Sequence, residues 1–188
     1  FSLSGIFRMD GSKRSSHSNA YFTGFGKSRR IVLFDTLMKE MTIPQSVAVL
    51  AHEMGHYKLH HIKKMIGISA VSLFTGLFFL SLIYDYPPLF KVFGLDMPTN
   101  HGALVLFSLL SGTFTFYLKP LYSALSRKHE YEADRFSVKN IGEKKSMEDA
   151  LLRLTKQNLS NLTPHPWYST FYYSHPTIIE RIQAIRAL

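Results

Sequence analysis

Cysteine is missing from this chain of 188 residues. Its absence excludes a disulfide scaffold, a cysteine-ligated zinc site and a thiol nucleophile. A metal ion can be held here only by histidine and carboxylate, and nine histidines are present. Acidic residues are few, 13 against 22 Lys and Arg, for a formal charge of +9. That balance suits an anionic partner, nucleic acid or a membrane surface, and carries no information on fold. No charged n-region or cleavage site precedes the first apolar residues, and the chain opens at Phe1, so we read it as a piece of a longer protein. Internal repeats are absent as well. Apolar residues at 46% and aromatics at 14% exclude intrinsic disorder and low-complexity fibres.

Residues 1 to 35 read as β structure: two short apolar-aromatic runs, Asn19 to Phe25 and Arg30 to Phe34, flank a turn-rich stretch with Gly24 and Gly26, which predicts a β-hairpin. Lys13, Arg14, Lys27, Arg29 and Arg30 make its surface basic, as a solvated loop set or as a contact for lipid headgroups. Thr42 and Gln45 have capping-box spacing and Pro44 suits a first turn, so a helix is expected to start near Thr42 and run to Tyr57. Met65 to Tyr84 is a stretch of 20 residues without a charge, and Gly102 to Leu118 adds 17 more before Lys119 and Pro120. About twenty apolar residues match a hydrocarbon core roughly 30 Å thick, so both runs are transmembrane candidates; the alternative is a pair of buried helices in a soluble α-domain. The Gly, Ser and Thr scattered through them favour packed membrane helices. The linker from Asp85 to His101 is short and Pro-rich, as a helical hairpin requires. Beyond Pro120 we expect helices over Ser126 to Asn140, Ser146 to Leu159 with Ser146 as cap, and Pro176 to Leu188. A Tyr- and Trp-rich loop, Pro164 to Ser174, separates the last two.

The string that carries chemistry is His52-Glu53-Met54-Gly55-His56. Residues four apart share a helix face, so both imidazoles can reach one zinc ion, while Glu53 is placed to take a proton from water. Two surface histidines on a helix would be the bland reading. His60 and His61 lie among lysines just before the apolar run, and we read them as interfacial side chains rather than ligands. A catalytic zinc takes three protein ligands, and the third must come from elsewhere. The helix from Ser126 offers Glu130 and Asp134 on one face, with Glu132 pointing roughly opposite. One of that pair can bind metal while the other accepts a ring N–H from a ligating histidine. If both apolar runs cross a membrane, His56 and Glu130 fall on the same side, as one zinc requires. Lys58, Lys63, Lys64, Arg127 and Lys128 flank that side and only Lys91 lies in the connecting loop, which makes it cytoplasmic by the positive-inside bias.

Four strings, SSHSNAYFTGFGKSRRIVLFDTL, AHEMGHYKLHH, LSRKHEYEAD and YYSHPTIIERIQAI, resemble in the same order the type I CAAX prenyl endopeptidases. These are integral-membrane zinc proteases that cut prenylated C-terminal motifs. The HtpX-type quality-control proteases of bacteria share the zinc motifs but resemble the chain less around Asn19. The resemblance implies His52, His56 and Glu130 as zinc ligands, Glu53 as general base and Asp134 as the carboxylate that steadies a ligating histidine. It implies His175 as the residue that stabilises the oxyanion, Arg181 as its supporting neighbour, and Asn19, Ala20, Tyr21 and Phe22 as a substrate-binding edge strand. His175 directly precedes Pro176, which we expect to open a helix whose positive end then lies close by. Family members carry further transmembrane helices ahead of this region, and Thr177 replaces a proline common after the His-Pro pair.

The expected fold is mainly α with a small β-hairpin or sheet, a zincin-like metalloprotease core over residues 1–188 carrying transmembrane helices at 65–84 and 102–118. The expected function is that of a membrane-embedded, multi-pass zinc endopeptidase with its active site on the cytoplasmic side and one zinc ion per chain. Its partners would be a peptide or protein substrate, prenylated in the closest reading, together with membrane lipid, and no nucleic acid. The alternatives are a quality-control membrane protease of the HtpX type and a non-enzymatic membrane module with a structural zinc.

Overall fold

A computed structural model describes residues 5–13, 20–24, 28, 30–158 and 161–188. The protein is mainly helical with one small sheet. Its contacts divide it into two compact units, Phe1–His61 with Ser123–Leu188, and Ile62–Tyr122.

In the first unit, β2 (Ala20–Thr23) and β3 (Arg30–Phe34) pair antiparallel with Ala20 opposite Leu33, as the hairpin reading expected. A third strand, β1 (Gly5–Met9), pairs parallel to β3 on its other side, giving the order β1-β3-β2. The β reading of residues 1–35 includes this segment but does not single it out as a strand. Its Ile6, Phe7 and Met9 are exposed, so no buried alternation marks it, and its partner lies well downstream. Asn19 lies outside the described residues. A short helix α1 (Asp35–Glu40) follows, then α2 (Ile43–Lys58). The predicted capping box is present: Thr42 Oγ1 accepts from the Gln45 amide, and Gln45 Oε1 accepts from the Thr42 amide.

The second unit holds most of α3 (His61–Ile83), the short α4 (Pro87–Val92) and the first half of α5 (Asn100–Ile141). Phe90 of α4 is fully buried against Ala103 and Leu106, which gives the expected linker a small core of its own. Mean hydropathy reaches 2.2 in α3 and 1.4 in α5 over stretches almost wholly unburied, with Phe74 and Phe114 each 70% exposed. Such faces differ from the core helices of a soluble α-domain, whose apolar side chains are covered. Lys119 and Pro120 end the apolar run but not the helix, because α5 is 42 residues long and continues past Pro120 to Ile141. A proline deletes one donor from the ladder, a local defect in so long a helix.

Back in the first unit come α6 (Lys144–Asn158), α7 (Pro166–Tyr172) and α8 (Ile178–Arg186). Ser146 sits inside the first turn of α6 rather than capping it, and its hydroxyl donates to Glu143. The Tyr- and Trp-rich stretch is partly helical, as α7. Pro176 lies before the final helix, whose cap is Thr177: its side chain accepts from the Glu180 amide, and Glu180 accepts from the Thr177 amide. This second capping box explains why threonine serves well at that position.

Helix α2 lies between two parts of the core. One joins Ala20, Ile31, Leu33, Leu37 and Val49 of the sheet side with Ala150 of α6. The other joins Ala48 with Val138, Met147, Leu151, Ile182 and Ile185 from α5, α6 and α8. Along the α2–α5 seam the Ser137 hydroxyl donates to the Ala48 carbonyl, and Gly55 lies against Ala133. A β-carbon at Gly55 would stand 3.1 Å from the Ala133 Cα and 3.2 Å from its carbonyl oxygen, and backbone cannot yield as a flexible side chain can. In an open helix Gly→Ala stabilises by up to about 1 kcal/mol. Here Gly55→Ala should instead destabilise by about 1–3 kcal/mol through overpacking. Thermal unfolding of the detergent-purified variant checks the sign, and a raised melting temperature would contradict the close approach.

Candidate active site

Residue numbers rise along α2 as they fall along the facing half of α5, so the two helices run antiparallel through the seam. Ala48 meets Ser137, His52 meets Asp134 and His56 meets Glu130. The buried stripe of α2 therefore passes from an apolar end into two histidines, and that of α5 into two carboxylates. The spacing of four in each segment keeps its pair on the packed face.

At the polar end, three donor atoms converge. His56 Nε2 lies 3.2 Å from His52 Nε2 and 3.3 Å from Glu130 Oε1, while His52 Nε2 lies 3.6 Å from Glu130 Oε2. Ligands about 2.0–2.1 Å from a tetrahedral zinc are separated by about 3.3 Å, so these residues fit the ion that such a donor set implies. Charge agrees with geometry. Glu53, Glu130 and Asp134 face one guanidinium, that of Arg181, leaving an excess of two negative charges that a divalent cation would offset. His61, His129 and Glu132 form a second group with ligand atoms close together, considered further below.

Asp134 is 2% exposed and holds the site together. Its Oδ1 lies 2.8 Å from His52 Nδ1, and it accepts from Arg181 Nη2 at 2.6 Å and Nε at 2.8 Å. A ring N–H donated to that carboxylate leaves His52 Nε2 as the bare nitrogen aimed at the cluster. Burial pushes the Asp134 carboxyl up, but the hydrogen bonds from Arg181 and His52 outweigh it and hold the group below the usual carboxylate range. Arg181 also lies 3.3 Å from Glu130, so one buried guanidinium serves both carboxylates. For Glu130, too, burial acts upward and is overcome, here by hydrogen bonds from His175 and His56 and by the Arg181 charge. Glu53 behaves differently. Its burial dominates and raises its proton affinity, which suits a base.

His175 comes from the segment between α7 and α8. Its Nδ1 lies 3.2 Å from Glu130 Oε1, and two-thirds of its side chain is exposed. The Glu130 hydrogen bond raises its proton affinity above that of an ordinary histidine. Arg127, read from the sequence as a charge flanking the membrane, donates to the carbonyls of Thr170 and Tyr173 at 3.0 and 2.8 Å. It thereby pins the end of α7 just ahead of His175. His52, Glu53, His56, Glu130, Asp134, His175 and Arg181 thus all belong to one neighbourhood of the first unit.

The sequence reading missed two residues there. His61 was placed at the interface but is 2% exposed and lies 3.0 Å from His56, and Glu132, placed on the opposite face, meets His61 at 2.9 Å. The turn at His60, which decides where His61 points, leaves no periodic signal. Ala20 to Thr23, the strand β2, packs against α2 and has a strand neighbour on one side only among the described residues.

The sequence is similar to CAAX prenyl protease 1 of Saccharomyces cerevisiae, 40% identical over 98% of this chain and 44% of that protein. The mouse CAAX prenyl protease 1 homolog is 35% identical over 99% of this chain and 47% of its own length. This chain therefore spans a little under half the length of the curated relatives it matches. The crystal structure of Ste24p from S. mikatae agrees with a TM-score of 0.88 at 39% identity, covering 98% of this chain and 46% of that one. Residues 1–188 match peptidase family M48 from end to end, and by that match, with the ligand cluster already in place on α2 and α5, the chain belongs to that family.

Proposed function

We propose that this chain is the catalytic portion of a membrane-embedded zinc endopeptidase that cleaves prenylated CAAX proteins. It would hold one zinc ion through His52, His56 and Glu130. The observation that carries the reading is the convergence of those three side chains at the edge lengths of a zinc tetrahedron. Zinc bound there supplies a Lewis acid that acidifies water and polarises a peptide carbonyl. Glu53, lifted by burial, takes the proton from the attacking water and passes it to the leaving amine. His175, raised by Glu130 and exposed towards solvent, donates to the carbonyl oxygen as negative charge develops on it. Asp134 and Arg181 keep the His52 ring in register.

We read β2, which pairs with β3 on one side among the described residues, as the strand along which an extended peptide would lie by main-chain hydrogen bonds, with Asn19, Ala20, Tyr21 and Phe22 as its substrate-binding residues. The names of the relatives favour a prenylated substrate. We read residues 1–188 as a single protease domain that carries Met65–Tyr84 and Gly102–Leu118 as transmembrane helices, in a multi-pass protein. Exposed apolar faces on α3 and α5 support contact with lipid. Lys58, Lys63, Lys64 and Lys128 favour a cytoplasmic active site. The basic residues gather beside the apolar runs, which speaks for a membrane surface over nucleic acid.

Glu53→Gln should keep its zinc and lose about 10²–10⁴-fold in turnover of a farnesylated C-terminal peptide. Cleavage at the wild-type rate would sink the proposed base. Elemental analysis should find about one zinc per chain in the wild type and little in Glu130→Ala. Full zinc in that variant would remove Glu130 from the ligand set. His175→Ala should lower kcat by about 10²–10³-fold with KM nearly unchanged. Equal losses in rate and binding would instead assign His175 to substrate binding.

A further inference from the structure

The two histidines of the cluster are supported differently. His52 Nδ1 faces a carboxylate directly, whereas His56 Nδ1 lies 3.0 Å from Nδ1 of His61. His61 Nε2 in turn lies 2.9 Å from Glu132 Oε2. For a neutral His61, proton bookkeeping then has one consistent solution. An ionised carboxylate only accepts, so His61 Nε2 carries the hydrogen and donates to Glu132. A neutral His61 is bare at Nδ1 and accepts there. The hydrogen between the rings therefore belongs to His56 Nδ1, which leaves His56 Nε2 bare, the atom directed at His52 and Glu130. We propose that His61 and Glu132 are positioning residues for the metal ligand His56, fixing its tautomer and ring plane through an imidazole–carboxylate chain. This rests on the proposed role of His56 as a ligand.

The backbone is arranged for that contact. His60 has φ 59°, the left-handed region that a residue with a β-carbon enters only at a cost. That residue separates α2 from α3, and His61, directly after it, lies against His56 in the last turn of α2. His61 then stacks on His129 at a centroid distance of 4.1 Å and an interplanar angle of 10°, with both residues buried. Those two rings and Glu132 also bring ligand atoms within 4.8 Å of one another, which suggests a second metal site as the competing use. The stacking opposes it. Lone pairs of imidazole lie in the ring plane, so two parallel rings aim along parallel lines and not at one ion. Both nitrogens of His61 are already engaged as well.

The test is the zinc dissociation constant of the detergent-purified full chain, measured by competition with a chromogenic chelator. His61→Phe keeps a ring against His129 but removes the acceptor, and it should weaken zinc binding about 10–100-fold. The melting temperature of the metal-free protein should stay near the wild-type value, and the absorption spectrum of the cobalt-substituted protein should change. His61→Asn, whose Oδ1 can occupy the place of Nδ1, should recover most of the lost affinity. Glu132→Ala, at a partly exposed side chain, should weaken binding roughly several-fold without disturbing the core. Wild-type affinity in His61→Phe, or an Asn variant as weak as Phe, would overturn the proposal. Two zinc ions in the wild type and one in His61→Phe would overturn it in favour of a second metal site. A wild-type chain that binds no zinc would overturn the ligand reading of His56 itself, and is distinguished by failing before any variant is compared.

Discussion

At Gly55 the backbone of α2 comes within a methyl group's reach of Ala133 on α5, and the chemistry of the chain depends on that approach. With the axes this close, side chains spaced four apart on each helix meet across the seam: His52 with Asp134 and His56 with Glu130. A wider gap would separate donor atoms that now stand 3.2–3.6 Å apart. The apolar end of the same seam, from Ala48 to Val138 and Ile185, clamps the helices where burial is most favourable and leaves the polar end to be positioned.

Such a cluster is electrostatically costly without compensation, since buried carboxylates lose their hydration. Arg181 answers part of that cost from α8 by engaging Asp134 through two nitrogens and Glu130 through a third. One guanidinium cannot balance three acids. The imbalance suits the site to a divalent cation, and the Asp134 carboxylate beside His52 Nδ1 favours the tautomer that is bare at Nε2.

The part of this site that could be read from the sequence is the part written in local spacing. His52 and His56 share a helix face by periodicity, Thr42 and Gln45 mark where that helix begins, and Glu130 with Asp134 repeat the spacing on a second helix. The roles of His175 and Arg181 came from resemblance, because a His-Pro pair and an arginine on a short helix carry no such signal. Strand β1 could be read as part of a β region but not as a strand of its own, because its side chains are exposed and its pairing is parallel and distant. His61 was misplaced for a different reason: one left-handed residue at His60 sets where His61 lies, and no hydrophobic period records a single φ angle. Pro120 misled in the opposite sense, by suggesting a break where α5 runs through.

Two anchors bracket the stretch that carries His175. Arg127 grips the carbonyls at the end of α7, and the Thr177–Glu180 box fixes the start of α8, so only Ser174, His175 and Pro176 lie between them. Proline removes further freedom from the main chain of so short a span. In the proposed role of His175, little backbone entropy would then be left to lose when a substrate arrives. What remains to be ordered is one imidazole with two torsions, worth on the order of 1 kcal/mol. A histidine delivered on a long mobile loop would forfeit several times that at each turnover.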